Sequence, residues 1–367
     1  MLSTFQRNLL LVIFAFSISI THTEAQRTNK GLSWRDITRN QQPAEWYGSE
    51  EAIRITDNVL LYQHTNGGWG KNVDRATVLN DEEKAKVVEK TKTVQTTIDN
   101  GATVTEIRFL ALVYTKTKMS RFQKSIERGV RYLLEAQYDS GGWPQFYPIR
   151  DGYYKHITYN DDAMIGTMRL LRDVAEGDPL YAFIDQGDHG RARTAIERGL
   201  EIILKTQIEV DGKLTAWCAQ HDRETFAPAK ARSYELPSIS GGESAGIVRY
   251  LMSIGNPDDR IIKAVESAIA WYERSKITGL AVVRKEDASL RRGYDRVVIE
   301  DPDASPLWAR FYKIETNRPM FVGRDGVIKD SLAEIEHERR IGYSYIRDYG
   351  SKLLASYPAW KAKWNHE

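Results

Sequence analysis

Three tryptophans lie at equal spacing in this chain, because Trp69, Trp143 and Trp217 are separated by 74 residues each. Each follows a helical tail that ends in glutamine and a turn that contains glycine. Recurrence at a fixed long period is the signature of a repeat architecture. The sequence therefore predicts one structural unit, repeated at least three times, with a helix-to-loop transition at each tryptophan.

A second motif follows each tryptophan and opens an apolar helical pattern, so it predicts a helix start in each repeat. Aligned on Thr97, Thr158 and Ser238, the motif carries two polar residues at the second and third positions further on in the first two repeats, Asp99 with Asn100 and Asn160 with Asp161, and Ser240 with Gly241 in the third. Equivalent helix starts of stacked repeats lie at one end of the molecule. We therefore expect carboxylates and amides to converge on one face.

Residues 1–25 are expected to be a secretory signal peptide rather than part of the fold. Arg7 precedes an apolar run over 9–20, and Ala25 offers a small residue at a cleavage point. That run is too short to span a bilayer. We expect a secreted or periplasmic monomer with no membrane contact after cleavage, an irregular leader over 26–45 and a single catalytic domain over 46–367.

Composition narrows the function classes further. The formal net charge of +2 does not indicate nucleic-acid binding. Cys218 is the only cysteine, and buried packing is the favoured interpretation over a reactive thiol. The nine tryptophans and nineteen tyrosines suit sugar stacking, and core filling explains most of them equally well. For Trp143 we expect a repeat cap packed under its loop.

Helical periodicity dominates after about residue 45. Helices in pairs, repeated three or more times with long loops, predict an all-α fold, an α/α toroid with a few short β-strands. Apolar runs at 280–283 and 296–299 predict a small ribbon. The pattern at 308–311 is typical of a helix, and the last helix is expected from about Asp330 to Tyr349.

Two of the helix starts are acidic, with Asp99 at one and Asp161 with Asp162 at the other. Several carboxylate and amide oxygens in a flexible arrangement are what Ca²⁺ prefers. Each residue alone is typical of a helix cap, and Thr103 with Glu106 has the spacing of a capping box. Taken as a set, the acidic starts favour a calcium site.

Cations lie close to these helix starts in the chain. Lys230 and Arg232 precede the third start, Lys71 follows Trp69, and Arg310 and Arg324 come later. Arginine suits bidentate recognition of carboxylates. Cations beside an acidic site therefore predict a polyanionic substrate that bears carboxylates. The alternative is that these cations are only solvated surface charges, and this alternative is strongest for Arg310.

At these motifs the chain resembles the family 10 pectate lyases over nearly its whole mature length. The resemblance rests on several long motifs in order, at residues 66–72, 97–103, 141–148, 159–163, 231–237 and 310–326. It implies an (α/α)₃ toroid that cleaves polygalacturonate with Ca²⁺ by β-elimination, leaving 4,5-unsaturated oligogalacturonides.

The resemblance also implies roles for individual residues. Arg232 is similar to the base that removes the C5 proton, and Asp161 to the principal calcium ligand, with Asp99 and Asn100 nearby. The implied substrate-binding residues are Arg310, Arg324 and Lys71, and we expect Lys230 and Asp99 to bind the substrate as well. Neighbouring cations and burial are expected to lower the pKa of Arg232, so that activity rises toward alkaline pH.

Two other functions are compatible with the same residues. A glycoside hydrolase would use paired carboxylates, for which Asp161 and Glu243 are candidates. A non-catalytic polyuronate-binding protein would bind the polymer and release nothing. The joint occurrence of the Arg, Asp and Gly-Gly-Trp motifs favours the lyase, because neither rival explains Arg232 in a loop beside a helix start.

Overall fold

The computed structural model describes residues 32–93 and 95–364, so the expected signal peptide over 1–25 lies outside the described residues. The α-helices are α1 (Trp34–Arg39), α2 (Glu50–Leu61), α3 (Asp81–Thr91), α4 (Val104–Thr117), α5 (Ser120–Glu135), α6 (Ala163–Ala175), α7 (Gln186–Lys205), α8 (Gly241–Met252), α9 (Asp259–Arg274), α10 (His337–Gly342) and α11 (Ser351–Trp364). The strands are β1 (Ile157–Thr158), β2 (Glu209–Val210), β3 (Lys213–Leu214), β4 (Gln220–His221), β5 (Ile239–Ser240), β6 (Leu280–Glu286), β7 (Tyr294–Glu300), β8 (Trp308–Ala309), β9 (Phe311–Tyr312), β10 (Phe321–Val322), β11 (Ile328–Lys329) and β12 (Ile346–Arg347).

The helices pack as consecutive pairs, α4 on α5, α6 on α7 and α8 on α9. The first members of these pairs lie side by side, and so do the second members, which gives two adjacent rows. At one end α2 packs on α4 and α5, and at the other α11 packs on α8 and α9. The predicted succession of helix pairs is therefore confirmed.

Each tryptophan of the repeat holds a loop beneath the end of a helix. The indole Nε1 donates to a helix carbonyl in every case: Trp69 to Val59 at 2.8 Å, Trp143 to Leu133 at 2.8 Å and Trp217 to Ile203 at 2.7 Å. All three side chains are fully buried. The prediction that Trp143 is a repeat cap is confirmed, and these rings are not available for sugar stacking.

A fourth unit follows the three that the spacing reveals. Trp308 Nε1 donates to the carbonyl of Tyr272 in α9 at 2.9 Å, as the other three do to their helices. The antiparallel ribbon β6–β7 lies between this helix and its tryptophan, which displaces Trp308 from the period. The ribbon itself was predicted, and it is confirmed.

The prediction of an all-α toroid is wrong as a fold class. The structure is mostly helical but mixed, with 47% helix and 12% strand, and the strands within the described residues form six two-stranded sheets. The paired helices lie in two adjacent rows, and a toroid is not shown. The short strands arise where long loops pair with one another above the helix starts, as β5 does with β9.

Two predicted helices near the C-terminus are also wrong. The segment from Asp330 to Tyr349 contains the short helix α10 and then β12, which pairs with β8 through Ile346 and Ala309. Residues 308–311 form β8 and the start of β9 instead of a helix. Residues 346–347 and 308–309 satisfy backbone hydrogen bonds by pairing with each other, and local periodicity does not reveal such non-local pairing.

A main hydrophobic core runs through all the helix pairs, and a smaller one lies beneath β9 and β10. Cys218 is buried in the main core, as predicted, and burial raises the pKa of its thiol. None of the helices in the described part of the chain combines the length and apolar character needed to cross a bilayer. The assignment of 46–367 to one domain stays a prediction.

Candidate active site

The two acidic helix starts are tight 3-10 turns with left-handed backbone. Asn100 has φ +54°, Asp161 has φ +52° and Asp162 has φ +57°. Asn and Asp tolerate this conformation better than other non-glycine residues, and such strain clusters at functional sites. The helix-cap interpretation is not supported, because Asp162 and Thr103 make no capping hydrogen bond with their side chains.

Each acidic turn receives a cation from the same position of a repeat, two residues after the tryptophan. Lys71 follows Trp69, and its Nζ donates to Asp99 Oδ2. Arg310 follows Trp308, and its Nη2 lies 3.4 Å from Asp161 Oδ1. The side chain of Asp99 is buried and its Oδ1 has no partner within the described residues, whereas that of Asp161 is 41% exposed.

Arg310 is the most enclosed of the predicted cations. Its Nη2 donates to Glu243 Oε1 and lies 3.3 Å from Asn160 Oδ1. Burial alone would lower the pKa of Arg310, but Glu243, Tyr343, Tyr349 and Asp161 together outweigh it and hold the pKa well above its ordinary value, with Glu243 contributing most. Glu243 is buried, and its other oxygen accepts from Ser240. With both oxygens engaged, Glu243 is poorly suited to the acid–base pair that a glycoside hydrolase needs.

Arg232 lies in the loop before β5, as predicted, and is held by a carboxylate three residues later. Its Nε donates to Glu235 Oε2 at 2.7 Å, and the hydroxyl of Tyr343 donates to Glu235 Oε1 at 2.8 Å. Burial alone would lower the pKa of Arg232, but the hydrogen bonds and charge of Glu235 raise it instead. This is opposite to the direction expected from neighbouring cations.

Arginines from distant parts of the chain surround two tyrosines. The guanidinium carbon of Arg232 lies 4.9 Å from the ring centre of Tyr234 and 5.8 Å from that of Tyr343. That of Arg310 lies 4.6 Å from Tyr343, and that of Arg324 lies 5.9 Å from Tyr234. The loops therefore bring these three predicted cations together around one aromatic pair.

Sequence reasoning missed Arg339, whose guanidinium carbon lies 4.7 Å from the ring centre of Tyr234. It also missed Tyr343, which contacts both Arg232 and Arg310. Both residues lie in the segment expected to be a helix, so no local signal placed them here. Glu235 lies inside the motif at 231–237, and its position three residues after Arg232 could have indicated their ion pair.

The other predicted residues are more peripheral. Lys230 is exposed and makes no ion pair or hydrogen bond with any described residue. Arg324 is exposed and pairs with Glu338, with 2.9 Å between Nε and Oε2. Asn100 is exposed, and its Nδ2 donates to Asn72 Oδ1 at 3.2 Å.

One open cleft of about 980 Å³ is lined by Lys71, Asn100, Asp161 and Asp162, among others. Within residues 32–93 and 95–364, no three His, Cys, Asp or Glu side chains form a group that could hold a metal ion. Exposed Asp161, the unpartnered oxygen of Asp99 and the amide of Asn100 are hard oxygen donors. They fit a cation that is held only in part by the protein.

Comparison with known proteins gives a consistent result. A family model described as pectic acid lyase matches residues 63–354. A solved family 10 polysaccharide lyase from Cellvibrio cellulosa is 34% identical with a TM-score of 0.74, covering 86% of this chain and 96% of its own. A second solved structure is an aspartate-to-alanine mutant of a family 10 polysaccharide lyase from the same organism, in complex with trigalacturonic acid. It is also 34% identical with a TM-score of 0.74, and the match covers 86% of this chain and 97% of that chain. No curated protein matches the chain.

Proposed function

The chain belongs to the pectic acid lyase family and is a pectate lyase, and we propose that it cleaves polygalacturonate by calcium-dependent β-elimination with Arg232 as the base. The observation that carries this proposal is the convergence of Arg232 and Arg310 on Tyr343, with Asp161 in contact with Arg310. The trigalacturonic acid bound to the similar mutant enzyme supports a polygalacturonate substrate.

This arrangement suits the charge that develops during elimination. The C5 proton of a uronate lies alpha to a carboxylate, so its removal produces an enolate-like dianion that needs fixed positive charge. Arg310, kept protonated by Glu243, supplies such a charge. The neutral form of Arg232 accepts the C5 proton, the C–H electrons form the C4=C5 double bond, and the C4–O bond breaks with its electrons on the leaving oxygen.

The base must first lose its own proton, and Glu235 opposes that loss. The neutral guanidine is therefore a minor population that grows tenfold with each unit of pH below its pKa. On this account the reaction is faster under alkaline conditions. The same reasoning makes Glu235 the residue that sets the pH at which Arg232 becomes active.

We assign calcium binding to Asp161, with Asp99 and Asn100 nearby. A bound Ca²⁺ supplies positive charge that neutralises substrate carboxylates and acidifies the C5 proton. Because Lys71 already neutralises Asp99 and Arg310 shares Asp161, we infer that substrate carboxylates complete the coordination and that calcium arrives with the polymer. Secretion to the periplasm or beyond is proposed on the sequence of residues 1–25 alone.

The test is an ultraviolet absorbance time course on polygalacturonate, with calcium and then with excess chelator. Rising absorbance that chelation abolishes supports calcium-dependent elimination. New reducing ends without absorbance would indicate hydrolysis, and neither signal would indicate a binding protein.

A matched pair of variants tests the base. Arg232→Gln should lower kcat by about 10² to 10⁴, the usual contribution of a general base. Arg260→Gln is the control, because Arg260 also pairs with a glutamate, Glu201, at 2.9 Å on an exposed surface. Equal rates for the two variants would remove Arg232 from the chemistry.

A further inference from the structure

A second depression, of about 620 Å³, adjoins the cleft that contains Asp161, and Lys71 and Val73 line both. It lies against α3 and the loop after Trp143. Its lining includes Lys71, Lys90 and Arg150 and contains no carboxylate. The elimination chemistry gives this cationic depression no role, although it is continuous with the site.

Arg150 is positioned by two aromatic rings rather than by a counter-charge. Its guanidinium carbon lies 4.7 Å from the ring centre of Phe146 and 4.7 Å from that of Tyr154. The two rings meet edge to face with centres 5.2 Å apart, which gives the guanidinium a rigid support. Lys71 lies 5.6 Å from the centre of the same Phe146 ring.

Arg150 and Lys90 differ from the arginines of the catalytic cluster in having no acidic partner. Both are exposed, and neither makes a side-chain hydrogen bond or ion pair with the residues described in the chain. Arg232 and Arg310, by contrast, are each bound by a buried glutamate. These two unpaired cations, of which Arg150 lies on a fixed aromatic support, are available to bind a ligand's carboxylates.

We propose that this depression is a distal subsite for further uronate units of the same polygalacturonate chain. The inference rests on the proposed function, since it takes the occupant of the neighbouring cleft to be a polyuronate. A chain that continues past Lys71 enters the depression, where Arg150 and Lys90 bind its carboxylates. Long substrates therefore gain affinity that a trimer confined to the catalytic cleft does not.

The test compares the ratio of kcat/KM on polygalacturonate to kcat/KM on trigalacturonate. The double variant Arg150→Gln with Lys90→Gln should lower this ratio about tenfold, mainly through KM on the polymer. Lys363→Gln is the control, because Lys363 also stands over an aromatic ring, that of Trp364 at 4.5 Å, near the far end of α11. An unchanged ratio in the double variant would overturn the subsite.

Retardation in a native gel that contains polygalacturonate separates this proposal from the proposed function. The wild type and Lys363→Gln should be retarded, and the double variant should be retarded less. If the wild type produced no unsaturated product, the lyase mechanism would fail while the gel would still test the subsite. Equal retardation of all three proteins would refute the subsite whatever the enzyme's activity.

Discussion

Glu235→Gln is the substitution that most directly tests the proposal that Arg232 serves as the base. The carboxylate of Glu235 accepts from Arg232 Nε at 2.7 Å and from the Tyr343 hydroxyl at 2.8 Å. Glutamine keeps the size of the side chain and one acceptor oxygen, but it removes the negative charge. The change should therefore lower the pKa of Arg232 while leaving much of its position intact.

The size of the effect follows from the exposure of the pair. A hydrogen bond to a charged group contributes about 1.5–3 kcal/mol, and solvent screening reduces this for a side chain as open as Arg232, which is 41% exposed. One pKa unit corresponds to about 1.4 kcal/mol. We therefore expect the pKa of Arg232 to fall by about one unit in Glu235→Gln.

The assay is kcat on polygalacturonate at saturating calcium, measured from about pH 7 to 10. If neutral Arg232 is the base, log kcat of the wild type should rise with a slope of about one per pH unit. The line for Glu235→Gln should be parallel and displaced to lower pH by about one unit, so that the variant is about tenfold faster at a given pH. A flat wild-type profile, or a variant line that is lowered without displacement, would refute the reasoning.

Three further predictions concern stability and calcium. Ser267→Arg should raise the free energy of unfolding by about 1 kcal/mol in urea, because Gln207 Oε1 has no partner among the described residues, whereas the equivalent atom of Gln137 in the preceding unit accepts from Arg198. Arg198→Ser should do the reverse. Burial lowers the pKa of His221 from 6.5 to about 4, so on acidification the unfolded chain takes up a proton at this residue before the folded chain does. The stability present above pH 6.5 should therefore be lost as the pH falls toward 4. Between these pH values the free energy of unfolding should drop by roughly 3 kcal/mol more in the wild type than in His221→Gln. Asp161→Asn keeps a residue that tolerates left-handed backbone. It should weaken calcium binding, measured by calorimetry in the presence of trigalacturonate. An unchanged calcium affinity would show that Asp161 is not a calcium ligand.

The repeated part of the fold could be predicted from the sequence because its signals are local. A tryptophan, a glutamine and a glycine turn recur, and each tryptophan is hydrogen-bonded to its own helix in the same way. Trp308 escaped notice because the β6–β7 ribbon displaces it from the period. The two-residue strands escaped because they are too short to show alternation, and their pairing depends on contacts such as that of Ile346 with Ala309.

The sequence predicted which charged residues lie near the helix starts, but it did not predict their partners. Asp99, Asp161 and Arg232 lie at or beside helix starts, and equivalent starts of a repeat share one face. Which carboxylate faces which arginine depends on non-local packing, as for Arg310, whose contact with Glu243 spans the fourth and third units. The expected direction of the pKa of Arg232 failed for a local reason, because Glu235, three residues later, pairs with it.

The position two residues after each tryptophan shows how chemistry is added to the repeat without disturbing it. There the backbone carbonyls of Gln145, Ala219 and Arg310 all accept from the helix start of the preceding unit. That bond depends on the backbone alone, so the side chain can vary from unit to unit. In the fourth unit it is an arginine, which the shared backbone geometry delivers beside Asp161. The repeat therefore supplies the placement, and single side-chain changes within it supply the charges that elimination requires.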